Sequence, residues 1–340
     1  MKAITISQKK ITYGDVSFQS YRNGVAVSVA YCGLCGSDVQ RIDNLIKSGD
    51  KHPVLGHEII GNINSIPDGV KTNFRIGDFV VISPILSCNK CEYCKRGNIQ
   101  FCNENKSIGK TLDGGFSEKV CVPIKNLYKI PKNKICKDLV LADPLSVCLH
   151  ALSKIRGIKN KNIAIIGGGA IGEIMSRLAI YKKAKKICIV HKKNISKKKK
   201  GIIEYVNTVN ILDKKFDEHF DCVFECVGRE ESETINTAAR ITKKMGDIIV
   251  MGAYKANYQL PINARLIFSK EIKVIGANSY NSSSKRNDFS VAIDLISKNK
   301  LNLEGIITHT LPLKNFLLGL NLFKNKNKSG AVKIVFSNVI

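Results

Sequence analysis

Apolar residues in the first half of the chain come in short runs broken by Gly, Pro and Asn, at residues 25–29, 59–66, 79–82 and 117–123. Runs of this length and spacing predict short strands in a compact, mostly antiparallel, barrel-like unit. The alternation across residues 1–7 reads as a first strand and has neither the apolar core nor the cleavage site of a signal peptide. Around residues 139–155 the period changes, with Leu141, Leu145, Cys148, Leu149 and Leu152 recurring at helical intervals. The segment Asn162-Ile163-Ala164-Ile165-Ile166 is almost wholly apolar, as a central parallel strand buried on both faces requires. Beyond it, strand-like segments at 186–190, 221–226 and 247–252 alternate with helix-like ones at 173–182 and 233–243. That rhythm predicts a doubly wound α/β domain. It is lost from about Val274, and residues 330–337 end on one more strand.

A chain of 340 residues is long for one core and suits two domains. With 44% hydrophobic residues and a mean hydropathy of −0.05, the composition is that of a soluble globular protein. No apolar run approaches the roughly 18–20 residues of a membrane helix, so no membrane partner is expected. The net charge of +26 changes the picture, because it raises nucleic acid as a partner. The excess is Lys rather than Arg, spread along the chain and densest at 182–186 and 192–200. No aromatic stacking platform or recognition module accompanies it, which argues against nucleic-acid binding and for a surface that tolerates lysine.

Four of the twelve cysteines lie close together. Cys88, Cys91, Cys94 and Cys102 give the spacing C-x2-C-x2-C-x7-C, too tight for a disulfide framework and suited to one metal ion. Tetrahedral Zn²⁺ is the natural occupant, with an iron–sulfur cluster as the competing one. Four protein thiolates leave no position for substrate, so this ion would be structural. Intervening Lys90, Glu92 and Lys95 make the loop too polar for a core of buried cysteines. Such usage fits a reducing, cytoplasmic setting.

Upstream lie Cys32-Gly33-Leu34-Cys35-Gly36-Ser37-Asp38 and Gly56-His57-Glu58. Either motif alone is a weak signal. With the four-cysteine loop and a glycine-rich loop at 167–172, they stand in an order that resembles the zinc-dependent medium-chain alcohol dehydrogenase family, in its polyol (sorbitol-type) branch. The resemblance runs from about Val25 to Val335. It implies a mostly β, GroES-like catalytic domain at 1–155 and 275–340, and a Rossmann dinucleotide-binding domain at 156–274. It also implies a catalytic zinc on Cys35 and His57, with Glu58 as a direct or water-mediated third ligand. One thiolate, one imidazole and one carboxylate would leave a position for water or alcohol. Ser37 matches the position that takes the alcohol proton, and Asp38 the carboxylate that orients His57.

Two positions depart from the family pattern. Asp143 stands before Pro144 where the polyol branch carries Glu; one methylene shorter, it remains a candidate ligand to the catalytic zinc. Gln40 stands where many relatives have a relay histidine and cannot titrate, so the outer proton route must differ. Nearby His52 reads as a loop residue rather than its substitute.

Gly167, Gly169 and Gly172 fit G-x-G-x-x-G, and they follow the apolar strand and open a helix-like segment, the context that makes the pattern specific. Gly167 permits the tight turn, Gly169 the approach of the pyrophosphate and Gly172 close helix–strand packing. With Ala170 and Ile171 at the helix start, these residues are the expected cofactor contacts. The next strand should end in an acid if the cofactor is NAD. His191, Lys192 and Lys193 stand there instead, and no carboxylate follows until Glu204. A 2′-phosphate is favoured by that change, so NADP is expected over NAD.

Together these features predict a zinc enzyme that passes a hydride between an alcohol or ketone and NAD(P). The substrate is polyol-like: a sugar alcohol, a polyol phosphate or a cyclitol, with threonine or an inosamine-type aminocyclitol as alternatives. A zinc-free reductase of quinones or alkenes would lack both the cysteine loop and the Cys35/His57 motifs. Arg41, Lys47 and Lys51 follow the zinc motif and read first as surface residues, with contact to a substrate phosphate as the alternative. Residues 272–277 resemble the edge strand through which the family forms homodimers, so a homodimer or homotetramer is expected.

Overall fold

The computed structural model describes residues 1–338 apart from 22, 51–52, 193–198, 229–230, 232, 256, 260–261 and 284–285. Lys51, His52 and Lys193 therefore lie outside the described residues. The chain divides into two units. One holds Met1–Asp143, Asn281–Lys300 and Glu304–Ile340; the other holds Pro144–Tyr280 and Leu301–Leu303. The units part at 143/144 and 280/281, whereas the sequence pattern placed the limits after residues 155 and 274, the second inside the strand Lys273–Gly276.

The first unit is built on a seven-stranded sheet. Its order runs Ile307–Pro312, Lys333–Ser337, Gly24–Leu34, Glu58–Ser65, Phe79–Ile82 and Leu127–Lys129, with Lys119–Pro123 also pairing Gly24–Leu34. All its pairings are antiparallel except that between the last two strands in sequence. Gly24–Leu34 is longer than its apolar run suggested and continues through Tyr31 and Cys32 to Leu34. The extension has a packing reason: Cys32 and Leu34 are buried, and Gly33 lies where a Cβ would fall 2.0 Å from a Glu58 oxygen. Its end delivers Cys35 directly onto the helix Gly36–Ser48. Val25, Val27, Val29, Ile59 and Ile63 join the core, which Phe116, Phe316 and Phe336 close with ring centroids 4.9–5.6 Å apart.

The second unit carries the alternating pattern. Its sheet order is Lys199–Lys200, Ile203–Asn207, Lys186–His191, Asn162–Ile166, Phe220–Glu225, Thr242–Val250 and Lys273–Gly276. All neighbours are parallel except the short Lys199–Lys200 pair. The first strand in sequence lies in the middle, with later strands added to either side. That reversal is the switch point at which doubly wound sheets bind ligands. The helix after it spans Ala170–Tyr181, starting earlier than the pattern implied. Thr242–Val250 also starts early, at residues 242–243 that the pattern assigned to the end of the helix-like segment 233–243 and five residues before the expected strand. Met245 sits at φ 60°, and the register shifts between Phe220 and Cys222, so an irregular pairing hides the strand's beginning from its pattern. Among the described residues, Lys273–Gly276 is the terminal strand of this sheet. No described helix is long and apolar enough to cross a membrane.

Candidate active site and metal centres

Cys35 stands at the junction of strand and helix, with φ −94° and ψ 154°, as the residue that caps Gly36–Ser48. Its N–H donates to Asp38 Oδ2 at 3.0 Å, which fixes Asp38 in the first turn of the helix. Asp38 Oδ1 in turn meets His57 Nδ1 at 3.1 Å, and both side chains are buried. The contact occupies Nδ1 and leaves Nε2 as the ring nitrogen able to ligate. Ligand atoms of Cys35, His57 and Glu58 all lie within 4.8 Å of one another. Asp143 Oδ2 lies 3.9 Å from His57 Nε2. Ser37, exposed at the start of the helix, donates to Cys35 Sγ at 3.3 Å.

The charges of this group depend on one another. Burial would raise Cys35, but hydrogen bonding and charge from His57 outweigh it and lower the thiol's pKa. Burial would lower His57, yet Asp38 and Cys35 push it well above the ordinary imidazole value. Asp38, which burial alone would raise, is held below the usual carboxylate range by His57 and by the Cys35 N–H. Each of these shifts favours the charged form of its group: the thiolate of Cys35, the imidazolium of His57 and the carboxylate of Asp38. A divalent cation replaces the imidazolium proton with little else disturbed, so the donor set fits Zn²⁺.

One participant went unnoticed in the sequence. Lys333 Nζ donates to both Glu58 oxygens, at 2.7 and 2.8 Å, and to the Leu34 carbonyl at 3.4 Å. Lys333 and Glu58 are 3% and 1% exposed, so the pair is wholly internal. Burial would lower the ammonium's pKa, but Glu58 and Cys35 raise it and keep it charged. The ion pair thus holds the Glu58 carboxylate in register beside Cys35 and His57. In a chain with so much surface lysine, nothing in Lys333-Ile334-Val335-Phe336 marks an inward-facing one.

The second set, Cys88, Cys91, Cys94 and Cys102, also brings all four sulfurs within 4.8 Å. Cys88 Sγ and Cys94 Sγ are 3.9 Å apart. Zinc–sulfur bonds of about 2.3 Å in a tetrahedron place sulfurs about 3.8 Å apart, so the loop already has the spacing of a tetrathiolate site. The N–H of Cys91 points at Cys88 Sγ at 3.4 Å, and that of Cys88 at Cys102 Sγ at 3.3 Å. Backbone donors of Lys90 and Cys91 pull Cys88 down to about 6. Burial and the neighbouring thiols push Cys94 up to about 12. A bound metal would take all four as thiolates.

In the second unit the glycine loop has the required shape. Gly167 adopts φ 116°, a Cβ on Gly172 would fall 1.9 Å from the Gly167 carbonyl, and nothing lies within 4 Å of a Cβ built on Gly169. The open face at Gly169 and the start of Ala170–Tyr181 form the cradle a pyrophosphate needs. Gly168 packs against the His191 side chain. Lys192 is not isolated, because its Nζ meets Glu231 Oε1 at 2.5 Å, with the side chains 65% and 39% exposed. The strand end thus has a carboxylate after all, brought from the crossover that follows Phe220–Glu225 and out of reach of any count along the strand. Lys47 is exposed in the last turn of its helix, away from Ser37 and Arg41.

Residues 21–132 match the alcohol dehydrogenase GroES-like domain and residues 170–298 the zinc-binding dehydrogenase domain. An uncharacterized zinc-type alcohol dehydrogenase-like protein of Haemophilus influenzae is 32% identical over 308 residues, 88% of this chain and 86% of that protein. Galactitol 1-phosphate 5-dehydrogenase of Escherichia coli is 28% identical over 331 residues, covering 93% of each chain. The crystal structure of galactitol-1-phosphate dehydrogenase from Escherichia coli superposes with a TM-score of 0.85 at 25% identity, over 99% of this chain and 100% of that one. The chain belongs to the zinc-dependent medium-chain alcohol dehydrogenase family and is an NAD(P)-dependent oxidoreductase of its polyol branch.

Proposed function

We propose that Cys35, His57 and Glu58, with Asp143 as a further candidate, hold a catalytic zinc, and that Cys88, Cys91, Cys94 and Cys102 hold a structural one. The observation that carries this is the convergence of two donor sets of different composition. The tetrathiolate set is saturated by protein, whereas the mixed set, next to Ser37, leaves room for an alcohol. When bound, zinc would acidify the substrate hydroxyl and the dinucleotide would accept the hydride. Asp38 fixes the ring orientation of His57. Ser37, already a donor at the Cys35 sulfur, passes the alcohol proton outward, and Gln40 hands on no proton of its own.

Gly167, Gly169, Ala170, Ile171 and Gly172 would hold the pyrophosphate, with His191 and Lys192 at the adenosine ribose. NADP is the preferred cofactor. Glu231 competes for Lys192, but an exposed ion pair is worth only about 0–1 kcal/mol, so a 2′-phosphate can displace it. The substrate is a secondary alcohol of a sugar alcohol, polyol phosphate or cyclitol, and the galactitol 1-phosphate relative supports the phosphorylated choice. Twelve free thiols suit a reducing cytoplasm, and the edge strand Lys273–Gly276 suits a homo-oligomer.

Metal analysis tests the two-site reading. Purified protein should hold close to two zinc ions per chain. Cys91→Ser should lose one of them together with stability, and His57→Ala the other together with activity. Iron in place of zinc, or full activity with a single ion, contradicts it.

A further inference from the structure

Two cations beside the Cys35–His57 centre have no role in the chemistry so far. Arg41 lies one turn beyond Ser37 on the helix Gly36–Ser48, so the two side chains share a face. The buried face of that helix is the other one, formed by Asp38, Val39, Ile42 and Leu45. Arg41 is half-buried and donates through one guanidinium nitrogen to the Lys110 carbonyl at 3.3 Å. Lys110 is also half-buried and has no acidic partner among the described residues.

The loop carrying Lys110 is braced against the backbone of the metal-binding segment. Gly109, at φ 73°, lies where a Cβ would fall 2.2 Å from the Gly56 carbonyl and 3.0 Å from the His57 nitrogen. Asp113 accepts the Val54 N–H at 2.8 Å, and Gly115 N–H donates to the Gly56 carbonyl at 2.8 Å. Lys110 is therefore fixed one residue from the point where this loop touches His57. Two segments of the chain thus meet next to the centre: Arg41, one turn beyond Ser37, donates to the backbone of Lys110, one residue past the loop's contact with His57.

We propose that Arg41 and Lys110 recognise an anionic end group, a phosphate monoester or a carboxylate, on the alcohol oxidised at the Cys35–His57 centre. The proposal rests on the metal-dependent reading above and names the substrate class for it. Side chains one turn apart are about 5–6 Å apart at Cβ, and an arginine reaches further still. The anion is therefore carried several atoms from the carbon that reacts, as at the far end of a polyol chain. Arg offers a planar fork for paired oxygens and Lys a point charge, a combination suited to such a group.

Zinc-loaded, full-length protein with its dinucleotide tests the idea against three matched compounds: a hexitol, its 1-phosphate and the corresponding aldonate. Calorimetry gives the dissociation constants and nicotinamide absorbance gives kcat/KM. The wild type should favour at least one anionic compound over the hexitol by about 30-fold or more in both measures, a preference that shrinks with added salt. Preference for the 1-phosphate identifies a phosphate as the end group, and preference for the aldonate a carboxylate. Arg41→Gln keeps a donor for the Lys110 carbonyl and Lys110→Gln keeps the side-chain length. Each should cut the anion-to-neutral ratio about tenfold, and the pair should bring it near one. A wild-type ratio near one overturns the site, even if the hexitol is oxidised and the metal-dependent reading stands. Variants that weaken neutral and anionic compounds alike overturn it too, because the residues then serve only to brace the loop. Anion-selective binding without turnover of any compound leaves the site intact and overturns the hydride-transfer reading.

Discussion

Replacing Lys333 with Met tests the electrostatic frame of the centre. Met conserves length and removes the charge, leaving the Glu58 carboxyl, 1% exposed and already pushed up by burial, either unpaired as a carboxylate or forced to take up a proton, without its two donors at 2.7 and 2.8 Å. Breaking a buried pair by removing one partner costs about 3–5 kcal/mol, because the remaining charge is neither solvated nor paired. In metal-free protein the full cost should appear. In zinc-loaded protein it should shrink, since the freed carboxylate can turn to the ion. Lys333→Met/Glu58→Leu removes both charges and should recover most of the loss, as replacing a whole buried pair by apolar side chains is often close to neutral. The chain has no Trp, so urea unfolding is best followed by far-ultraviolet circular dichroism, with the zinc-binding unit's transition compared among variants. Metal-free Lys333→Met as stable as the wild type would refute the reasoning. So would a double variant no better than the single one.

Cofactor choice is expected to favour NADP, with a higher kcat/KM than NAD at one substrate and one ionic strength; His191→Asp with Lys192→Leu should reverse the order. A wild-type preference for NAD would mean that Glu231 keeps Lys192 from the ribose. In the second unit, burial alone would raise the pKa of Asp221, but Lys243 Nζ at 2.9 Å and the Asn162 N–H at 2.7 Å lower it. A carboxyl depressed on folding stabilises above its unfolded pKa and stops doing so as pH falls through the folded one. Asp221→Asn should therefore cost about 1 kcal/mol at neutral pH, a difference that vanishes in strong acid; a pH-independent difference would show that only packing was lost.

The two-domain architecture was legible because periodicity is local. Ile163–Ile166 announces a central strand within a few residues, and the glycines after it announce the turn. The cysteine loop was legible for the same reason, since its four sulfurs come from one short segment. Contacts between distant segments were not. Lys333 reaches Glu58 across 275 positions, and its charge is lost among 54 basic residues. Glu231 meets Lys192 from another crossover, so counting along the second strand missed the acid. The start of Thr242–Val250 was hidden by its irregular pairing, where a left-handed Met245 imitates a turn. Strand order was equally hidden, because the outward growth of the sheet from Asn162–Ile166 is a property of topology and not of any one segment.

The central claim is that this chain oxidises a polyol-like alcohol at a zinc held by Cys35 and His57. Its most direct test follows nicotinamide reduction over a panel of sugar alcohols, polyol phosphates and cyclitols. The panel is run on native protein, on protein stripped by a chelator, and on stripped protein given zinc again. At least one panel member should be oxidised by the native enzyme. Stripping should remove that activity and added zinc should restore it, while His57→Ala stays inactive throughout. A stripped enzyme, or His57→Ala, that turned over substrate at the native rate would contradict the claim.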